Sequence, residues 1–170
     1  MDLKDKIRNI KDFPQEGILF RDITTLLEDA QGLHEAIKMI EKELEGIDFD
    51  YVAGTESRGF IFGTPVAYNM NKGFIPVRKA GKLPGRTISK SYDLEYGKAT
   101  IEIHEDALKK GDKVVFIDDL IATGGTARAA CELMEEAGAK VVKSVFLIEL
   151  EDLKGREELK KYNVSSIVKY

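Results

Sequence analysis

Between residues 114 and 126 the chain reads Val114-Val115-Phe116-Ile117-Asp118-Asp119-Leu120-Ile121-Ala122-Thr123-Gly124-Gly125-Thr126. The four apolar residues at its start predict a strand buried on both faces, as in parallel sheets. Two acidic residues at the strand end and a loop of small residues follow. A helix then begins, with Ala127, Cys131 and Met134 on one face. The order of strand, tight loop and helix is typical of a βαβ unit, so this stretch predicts an α/β fold.

Short apolar strands and amphipathic helices continue to alternate on both sides of this stretch. Further strands are predicted at 51–54, 73–77, 145–148 and 164–168, and helices at 3–10, 33–44, 59–70, 127–137 and 153–161. Alternating apolar residues at 91–96 and 99–103 predict a hairpin, whereas 78–90 lacks apolar periodicity and is expected to be a loop. The whole predicts one domain, residues 1–170, with a parallel sheet flanked by helices and a small flexible hood at about 78–104.

The composition excludes several classes of protein. The chain has 170 residues, of which 43% are hydrophobic and 33% charged, so disordered and collagen-like chains are excluded. Its net charge of -4 argues against a nucleic-acid partner, because phosphate-backbone binding needs an excess of cations. The charged first residues do not resemble a signal peptide, and no apolar run approaches the roughly 20 residues of a membrane span. We therefore expect a cytoplasmic protein without a membrane partner.

The loop from Ala122 to Thr126, called the phosphate loop below, is predicted to bind a phosphate monoester. Gly124 and Gly125 allow backbone N–H groups to converge, while Thr123 and Thr126 add hydroxyl donors. The start of the following helix adds partial positive charge. The loop has neither the Gly-Lys-Ser/Thr ending of a Walker A loop nor a Gly-x-Gly-x-x-Gly fingerprint. An ordinary tight turn between strand and helix is the alternative interpretation.

Asp118 and Asp119, called the acid pair below, narrow the choice of ligand. Carboxylates repel phosphate but accept hydrogen bonds from sugar hydroxyls. The pattern therefore predicts a sugar phosphate, with ribose on the acid pair and its 5-phosphate in the phosphate loop. Solvated acids beside a turn are the alternative.

The stretch 114–126 resembles the ribose-phosphate signature of type I phosphoribosyltransferases. Other segments are similar, in the same order, to the adenine-specific members of that family: 13–23 to the base-binding segment, 54–60 to the pyrophosphate loop, 77–84 and 92–97 to the mobile hood, and 153–159 to the closing helix. The resemblance implies the type I fold and the purine-salvage reaction that converts adenine and 5-phosphoribosyl 1-pyrophosphate to AMP and pyrophosphate. It also implies Mg²⁺ as cofactor and a homodimer.

The resemblance implies a pyrophosphate site formed by cationic and loop residues: Glu56, Ser57, Arg58, Arg78, Lys79 and Lys82. A net-acidic chain needs local cations to bind pyrophosphate, and residues 78–90 contain five basic residues and no acid. A solvated basic loop is the alternative. The resemblance further implies unusual backbone geometry at Glu56-Ser57, for which a cis peptide bond is one candidate. Magnesium is expected to be held mainly by pyrophosphate, ribose hydroxyls and water, without an assigned protein ligand.

The resemblance places the adenine site at Leu19, Phe20 and Arg21, with backbone groups near the first and third reading the base and Phe20 stacking on it. Phe20 as a core residue is the rival interpretation. Hypoxanthine–guanine enzymes commonly carry an Asp where this chain has Ala122. That Asp works near the purine N7, and Glu95 in the hood is the best replacement for it. Glu95 therefore joins Asp118 and Asp119 as a predicted catalytic residue. A solvent-facing Glu beside the hairpin turn is the alternative.

Two other functions are compatible with parts of the pattern. A regulator that senses 5-phosphoribosyl 1-pyrophosphate and binds nucleic acid would keep the phosphate loop. Such a protein needs a nucleic-acid-binding surface, for which the chain has neither spare length nor positive charge. A related enzyme that acts on xanthine or another 6-oxopurine is the second alternative.

Overall fold

The computed structural model describes residues 1–94 and 96–170, which form two compact units, 1–39 and 40–170. In the smaller unit a short 3-10 helix, Leu3–Lys6, precedes an antiparallel ribbon of β1 (Arg8–Lys11) and β2 (Leu19–Asp22). Helix α1 (Thr24–Glu28) follows, and then α2 (Ala30–Glu43), whose last residues belong to the larger unit. The predicted helix at 3–10 is therefore wrong beyond residue 6, because pairing with β2 extends the chain there.

Ion pairing joins the ribbon to α1 in the smaller unit. The Arg8 guanidinium donates to Asp22 Oδ2 from Nη2 at 2.5 Å and from Nε at 2.9 Å. The hydroxyl and backbone N–H of Thr24 also donate to Asp22, at 2.7 and 3.0 Å. These bonds from Thr24, followed by those from Arg8, lower the pKa of Asp22 although burial opposes them. The start of α1 is thus held against the end of β2.

The larger unit contains a seven-stranded sheet with helices on its faces. Its strands are β3 (Tyr51–Thr55), β4 (Gly73–Lys79), β5 (Thr87–Asp93), β6 (Lys98–His104), β7 (Lys113–Ile121), β8 (Lys140–Glu149) and β9 (Val164–Lys169), in the spatial order β5-β6-β4-β3-β7-β8-β9. Its helices are α3 (Arg58–Asn69), α4 (Gly125–Glu136) and the short 3-10 helices Glu151–Leu153 and Gly155–Leu159. Neighbours among β3, β4, β7, β8 and β9 are parallel, whereas β6 pairs antiparallel with both β4 and β5. The predicted α/β fold with a mostly parallel sheet is confirmed.

Two predicted segments differ in detail. The expected loop at 78–90 is shorter, because β4 continues to Lys79 and β5 already begins at Thr87. The predicted helix at 153–161 is replaced by two 3-10 turns. Lys154 between them has a left-handed φ of 53°, which an α-helix does not accommodate. The antiparallel strands β5 and β6, called the hood hairpin below, form one edge of the sheet.

The core of the larger unit lies between the sheet and α4. Phe116 of β7 and Phe146 of β8 are fully buried, with ring centroids 6.1 Å apart. Cys131 and Met134 of α4 pack in the same cluster. Burial raises the pKa of the Cys131 thiol to about 12, so this cysteine is a neutral core residue. Among the described residues, no helix has the length and apolar character needed to cross a membrane.

The strand order reverses direction at β3. The chain passes from β3 to β4 on one side, and β7 later pairs in parallel with β3 on the other side. A crevice opens at the carboxyl ends of such a strand pair, since the connections leave it in opposite directions. The fold therefore provides a binding crevice where the loops after β3 and β7 begin.

Candidate active site

A cleft of about 390 Å³ occupies the crevice at the carboxyl ends of β3 and β7. It brings together most of the residues that the sequence predicted for phosphate, ribose and pyrophosphate: Glu56, Ser57, Arg58, Arg78, Lys79, Asp118, Asp119, Ala122, Thr123, Gly124, Gly125 and Thr126. These residues come from three separate segments, at 56–58, 78–79 and 118–126. Their convergence in one cleft is a property of the fold that sequence spacing does not show.

The two glycines of the phosphate loop meet different surroundings. Gly124 has a φ of 88°, and a Cβ there would lie 2.5 Å from the carbonyl oxygen of Gly155. A Cβ on Gly125 would have only Tyr92 within 4 Å, with Cδ2 at 3.6 Å. Since α4 begins at Gly125, its first N–H groups belong to the cleft wall. The fold requires glycine at 124, whereas Gly125 leaves open space beside the cleft.

The acid pair lies within β7 and not at its end, because pairing with β8 continues to Ile121. Asp118 accepts hydrogen bonds from Thr55 Oγ1 at 2.6 Å and from the Asp119 N–H at 2.8 Å. Desolvation, followed by the neighbouring Asp119 charge, raises the pKa of Asp118 well above its ordinary value. Burial and the neighbouring carboxylate thus both disfavour the charged form of Asp118.

Arg58 connects the first turn of α3 to the acid pair. Its Nε donates to Asp119 Oδ2 at 2.5 Å. The adjacent Gly59 is packed so closely that a Cβ there would lie 2.8 Å from Asp118 Oδ1. The start of α3 therefore places a guanidinium and two carboxyl groups side by side in the cleft.

Glu56 holds the basic side of the cleft in place. Its Oε1 accepts from Arg78 Nε at 3.2 Å and from the Lys79 backbone N–H at 2.8 Å. The peptide bond between Glu56 and Ser57 is cis, as the family resemblance implied. The Glu56 carboxylate thus faces Arg78 and orients the guanidinium of Arg78 in the cleft.

Three groups of predicted residues are not among those that line the cleft. Lys82 does not line the cleft, but its carbonyl oxygen accepts from Arg78 Nη1 at 3.5 Å. Glu95 lies outside the residues that the structure describes. The predicted adenine segment, residues 19–21, belongs to the smaller unit.

That segment lies in β2, which pairs with β1 along its whole length. Leu19 and Arg21 lie on β2, and the Arg21 side chain donates to Asn9 Oδ1 at 2.7 Å. Phe20 is half-buried and makes an edge contact with Phe13, with centroids 5.1 Å apart. Phe20 is therefore not part of the fully buried core.

Sequence reasoning did not assign roles to two residues of the cleft, Thr55 and Tyr92. Thr55 ends β3 and donates to Asp118, while Tyr92 of β5 accepts from Thr126 Oγ1 at 3.0 Å. Both residues stand in or beside segments that resemble family motifs, which is the signal that could have identified them. In the sequence, β6 and β7 lie between Tyr92 and the phosphate loop, so spacing alone does not predict their hydrogen bond.

The described residues contain no group of three or more His, Cys, Asp or Glu side chains that could hold a metal ion. The acid pair nevertheless offers hard oxygen donors in the cleft, which Mg²⁺ accepts. The donor set fits a magnesium ion that takes most of its ligands from a phosphorylated substrate and water.

Comparisons with known proteins agree with this geometry. Residues 22–169 match the family model of the phosphoribosyl transferase domain. The adenine phosphoribosyltransferase of Agathobacter rectalis is 60% identical over 168 residues, which cover 99% of this chain and 97% of that protein.

Two solved structures show the same fold. The adenine phosphoribosyltransferase of Thermoanaerobacter pseudethanolicus has 49% identity and a TM-score of 0.96, covering 99% of this chain and 98% of that one. The Saccharomyces cerevisiae enzyme, solved with an iminoaltritol bisphosphate and adenine, has 41% identity and a TM-score of 0.89, with 97% and 96% covered. The chain therefore belongs to the phosphoribosyltransferase family, among the adenine phosphoribosyltransferases.

Proposed function

We propose that the chain converts adenine and 5-phosphoribosyl 1-pyrophosphate to AMP and pyrophosphate. The observation that carries this proposal is the single cleft shared by the phosphate loop, the acid pair and Arg58. These groups match, in order, a 5-phosphate, a ribose and a leaving pyrophosphate. The base displaces pyrophosphate at the anomeric carbon, and positive charge develops on the ribose ring as the bond to pyrophosphate breaks.

The phosphate loop, 122–126, binds the 5-phosphate in this proposal. The hydroxyls of Thr123 and Thr126 and the N–H groups at the start of α4 supply donors, and the helix end favours an anion. Fixing the 5-phosphate positions the anomeric carbon relative to the rest of the cleft. Such positioning lowers the entropic part of the barrier.

Asp118 and Asp119 bind the ribose hydroxyls. Carboxylate oxygens accept hydrogen bonds from sugar hydroxyls, and the raised pKa of Asp118 makes Asp119 the more readily ionised member of the pair. The ionised carboxylate stabilises the ribose as its positive charge grows toward the transition state. The acid pair therefore contributes more to the rate than to substrate affinity.

Pyrophosphate binds among Ser57, Arg58, Arg78 and Lys79, which line the cleft, with Glu56 holding Arg78 in place. The family resemblance adds Lys82 as a further cation of this site. Magnesium supplies further positive charge to the leaving group when bound. The cations of this chain bind and neutralise the pyrophosphate oxygens, which makes pyrophosphate a better leaving group.

Adenine is read by the backbone near Leu19 and Arg21 and stacks on Phe20. Adenine presents a donor at N6 and an acceptor at N1, which a backbone C=O and N–H pair complements. Glu95 orients the base at N7 or stabilises the charged ribose. The Saccharomyces cerevisiae relative was solved with adenine, which supports a purine base as the acceptor.

The test is product identification from a panel of purines. The protein is incubated with Mg²⁺, 5-phosphoribosyl 1-pyrophosphate and adenine, hypoxanthine, guanine or xanthine, and the nucleotides are separated. We expect AMP from adenine alone, and no product after chelation of Mg²⁺. A 6-oxopurine nucleotide as the main product would overturn the substrate, and binding without turnover of any purine would favour the regulator.

We also propose a homodimer in the cytoplasm, which the family resemblance supports. Size-exclusion chromatography with light scattering is expected to give twice the monomer mass of 19.0 kDa. A monomer at micromolar concentration would contradict the dimer.

A further inference from the structure

The segment Leu153-x-Gly155-Arg156-x-x-Leu159 lies outside the cleft, yet one of its residues lies directly against the phosphate loop. A Cβ on Gly155 would lie 2.5 Å from the carbonyl oxygen of Ala122, and a Cβ on Gly124 would lie 2.5 Å from the carbonyl oxygen of Gly155. The two backbones are therefore in contact without an intervening side chain. The position of Gly155 therefore limits the space that residues 122–124 can occupy.

Arg156, the next residue, fixes Gly155 to the sheet. Its Nε donates to both carboxylate oxygens of Glu149 at 2.9 Å, and its Nη1 donates to the carbonyl oxygen of Val164 at 3.0 Å. Its Nη2 donates to Ser166 Oγ at 3.2 Å, and Ser166 Oγ in turn donates to Glu149 Oε1 at 2.5 Å. The guanidinium thus joins the 3-10 helix Gly155–Leu159 to both β8 and β9.

Glu149 is a buried anchor for this contact. It is 5% exposed and ends β8, immediately beside the end of β7, with which it pairs at Ile121. A buried carboxylate requires compensating donors, and Arg156 and Ser166 supply them. This group of three side chains, Glu149, Arg156 and Ser166, is called the anchor below.

We propose that the anchor is a positioning device for the ribose 5-phosphate site, with Arg156 as its main positioning residue. It holds Gly155 against the phosphate loop, so that the N–H groups of the loop converge before the ligand arrives. None of the three side chains lines the cleft, so each acts only through the backbone of Gly155. This inference rests on the proposed binding of ribose 5-phosphate by residues 122–126.

The experiment measures the affinity of the full chain for ribose 5-phosphate and, separately, for magnesium pyrophosphate by calorimetry. Arg156→Met removes the forked donor but keeps much of the side-chain length. We expect ribose 5-phosphate to bind about tenfold more weakly or worse, as for other lost hydrogen bonds to charged groups. Magnesium pyrophosphate is expected to bind within about twofold of the wild-type chain, because the hydrogen bonds of Arg156 go to β8 and β9 and not to segments 56–58 and 78–79.

Two graded variants keep the inference testable if Arg156→Met folds poorly. Arg156→Lys retains the charge but not the fork, and Ser166→Ala removes one donor to Glu149. Both are expected to weaken ribose 5-phosphate binding by less than Arg156→Met does. Lys113→Met is the matched control, since it removes an ion pair with Asp48 (2.7 Å) at the opposite end of β7.

The outcomes separate this inference from the proposed function. If the wild-type chain does not bind ribose 5-phosphate, the proposed function fails. If it binds and the folded Arg156 variants bind equally well, the positioning role is overturned. Equal weakening of ribose 5-phosphate and magnesium pyrophosphate would also overturn it, because a general loss of structure would then explain both.

Discussion

The hydroxyl of Thr126 donates to the hydroxyl of Tyr92 at 3.0 Å. Thr126 belongs to the phosphate loop, whereas Tyr92 belongs to β5 of the hood hairpin. The ring of Tyr92 also covers Gly125, the first residue of α4. The hood hairpin and the phosphate loop are therefore joined by one aromatic side chain, and occupancy of the loop is expected to influence the hairpin.

Tyr92→Phe removes this hydrogen bond and preserves the ring contact. We expect the KM for 5-phosphoribosyl 1-pyrophosphate to rise about 2- to 10-fold, which corresponds to one hydrogen bond of typical net strength. The KM for adenine is expected to change much less. Initial rates at saturating concentrations of the second substrate measure both values.

Tyr68→Phe is the control for the tyrosine variant, since Tyr68 is 84% exposed on α3. Its kinetics are expected to match those of the wild-type chain. Identical KM values for Tyr92→Phe and wild type would show that the Tyr92 hydroxyl does not contribute to the site.

The two glycines of the phosphate loop are expected to respond differently to alanine. Gly124→Ala combines left-handed strain of about 1–2 kcal/mol with overlap against Gly155, and the free energy of unfolding is expected to fall by at least that amount. Gly125→Ala has room in the fold, but its methyl group stands in the cleft wall. We expect it to unfold like the wild-type chain in urea and to lose AMP affinity. Unchanged AMP affinity in a folded Gly125→Ala protein would remove residue 125 from the phosphate site.

The raised pKa of Asp118 predicts a pH-dependent stability difference. The unfolded chain has the ordinary value of about 4, so the folded chain binds more protons between that pH and the raised pKa. The wild-type chain is therefore expected to lose stability relative to Asp118→Asn as the pH rises through this interval. Urea unfolding of both proteins across this pH range measures the difference.

Asp48→Asn is the control with the opposite sign. The hydrogen bond from Lys113 lowers the pKa of Asp48, so its contribution is present above the ordinary carboxyl pKa and is lost as the pH falls through the lowered value. The wild-type chain is expected to be more stable than Asp48→Asn at neutral pH and equal to it in acid. A constant difference between wild type and Asp118→Asn at all pH values would contradict the raised pKa.

Glu95 remains the sharpest prediction from sequence about catalysis. Glu95→Gln and Glu95→Leu are expected to lower single-turnover AMP formation by about 10- to 1000-fold, with Leu worse than Gln, as for general-acid or electrostatic contributions. Adenine affinity is expected to change far less, because the backbone near Leu19 and Arg21 reads the base. Glu105→Gln, an exposed residue beyond β6, is the control. Wild-type rates in both Glu95 variants would exclude a catalytic role.

The sequence predicted the α/β fold because its buried strands are continuous apolar runs, as at 114–117 and 145–148. It also predicted the phosphate loop, since its glycines, hydroxyls and helix start are contiguous. The convergence of 56–58, 78–79 and 118–126 followed only from family resemblance, because the order of parallel strands depends on contacts between distant segments.

Local patterns failed where tertiary contacts decide the conformation. Leu3, Ile7 and Ile10 have helical spacing, but residues 8–11 form β1, because β2 offers a pairing partner. Residues 153–159 form 3-10 turns around Lys154 instead of one helix. The raised pKa of Asp118 depends mainly on the burial of its side chain, which the two adjacent acids in the sequence do not reveal.

The ion pairs of the cleft separate its local charge from the charge of the whole molecule. The chain has a formal net charge of -4 and should repel a polyanionic substrate at long range. Within the cleft, Arg58 pairs with Asp119 and Arg78 pairs with Glu56, and Lys79 adds a further cation. Salt screens the attraction of these cations for an anion beyond about one Debye length, ~10 Å at 0.1 M salt. The net negative charge of the chain therefore repels the substrate at long range, whereas the cations of the cleft attract it at short range. Added salt weakens both effects.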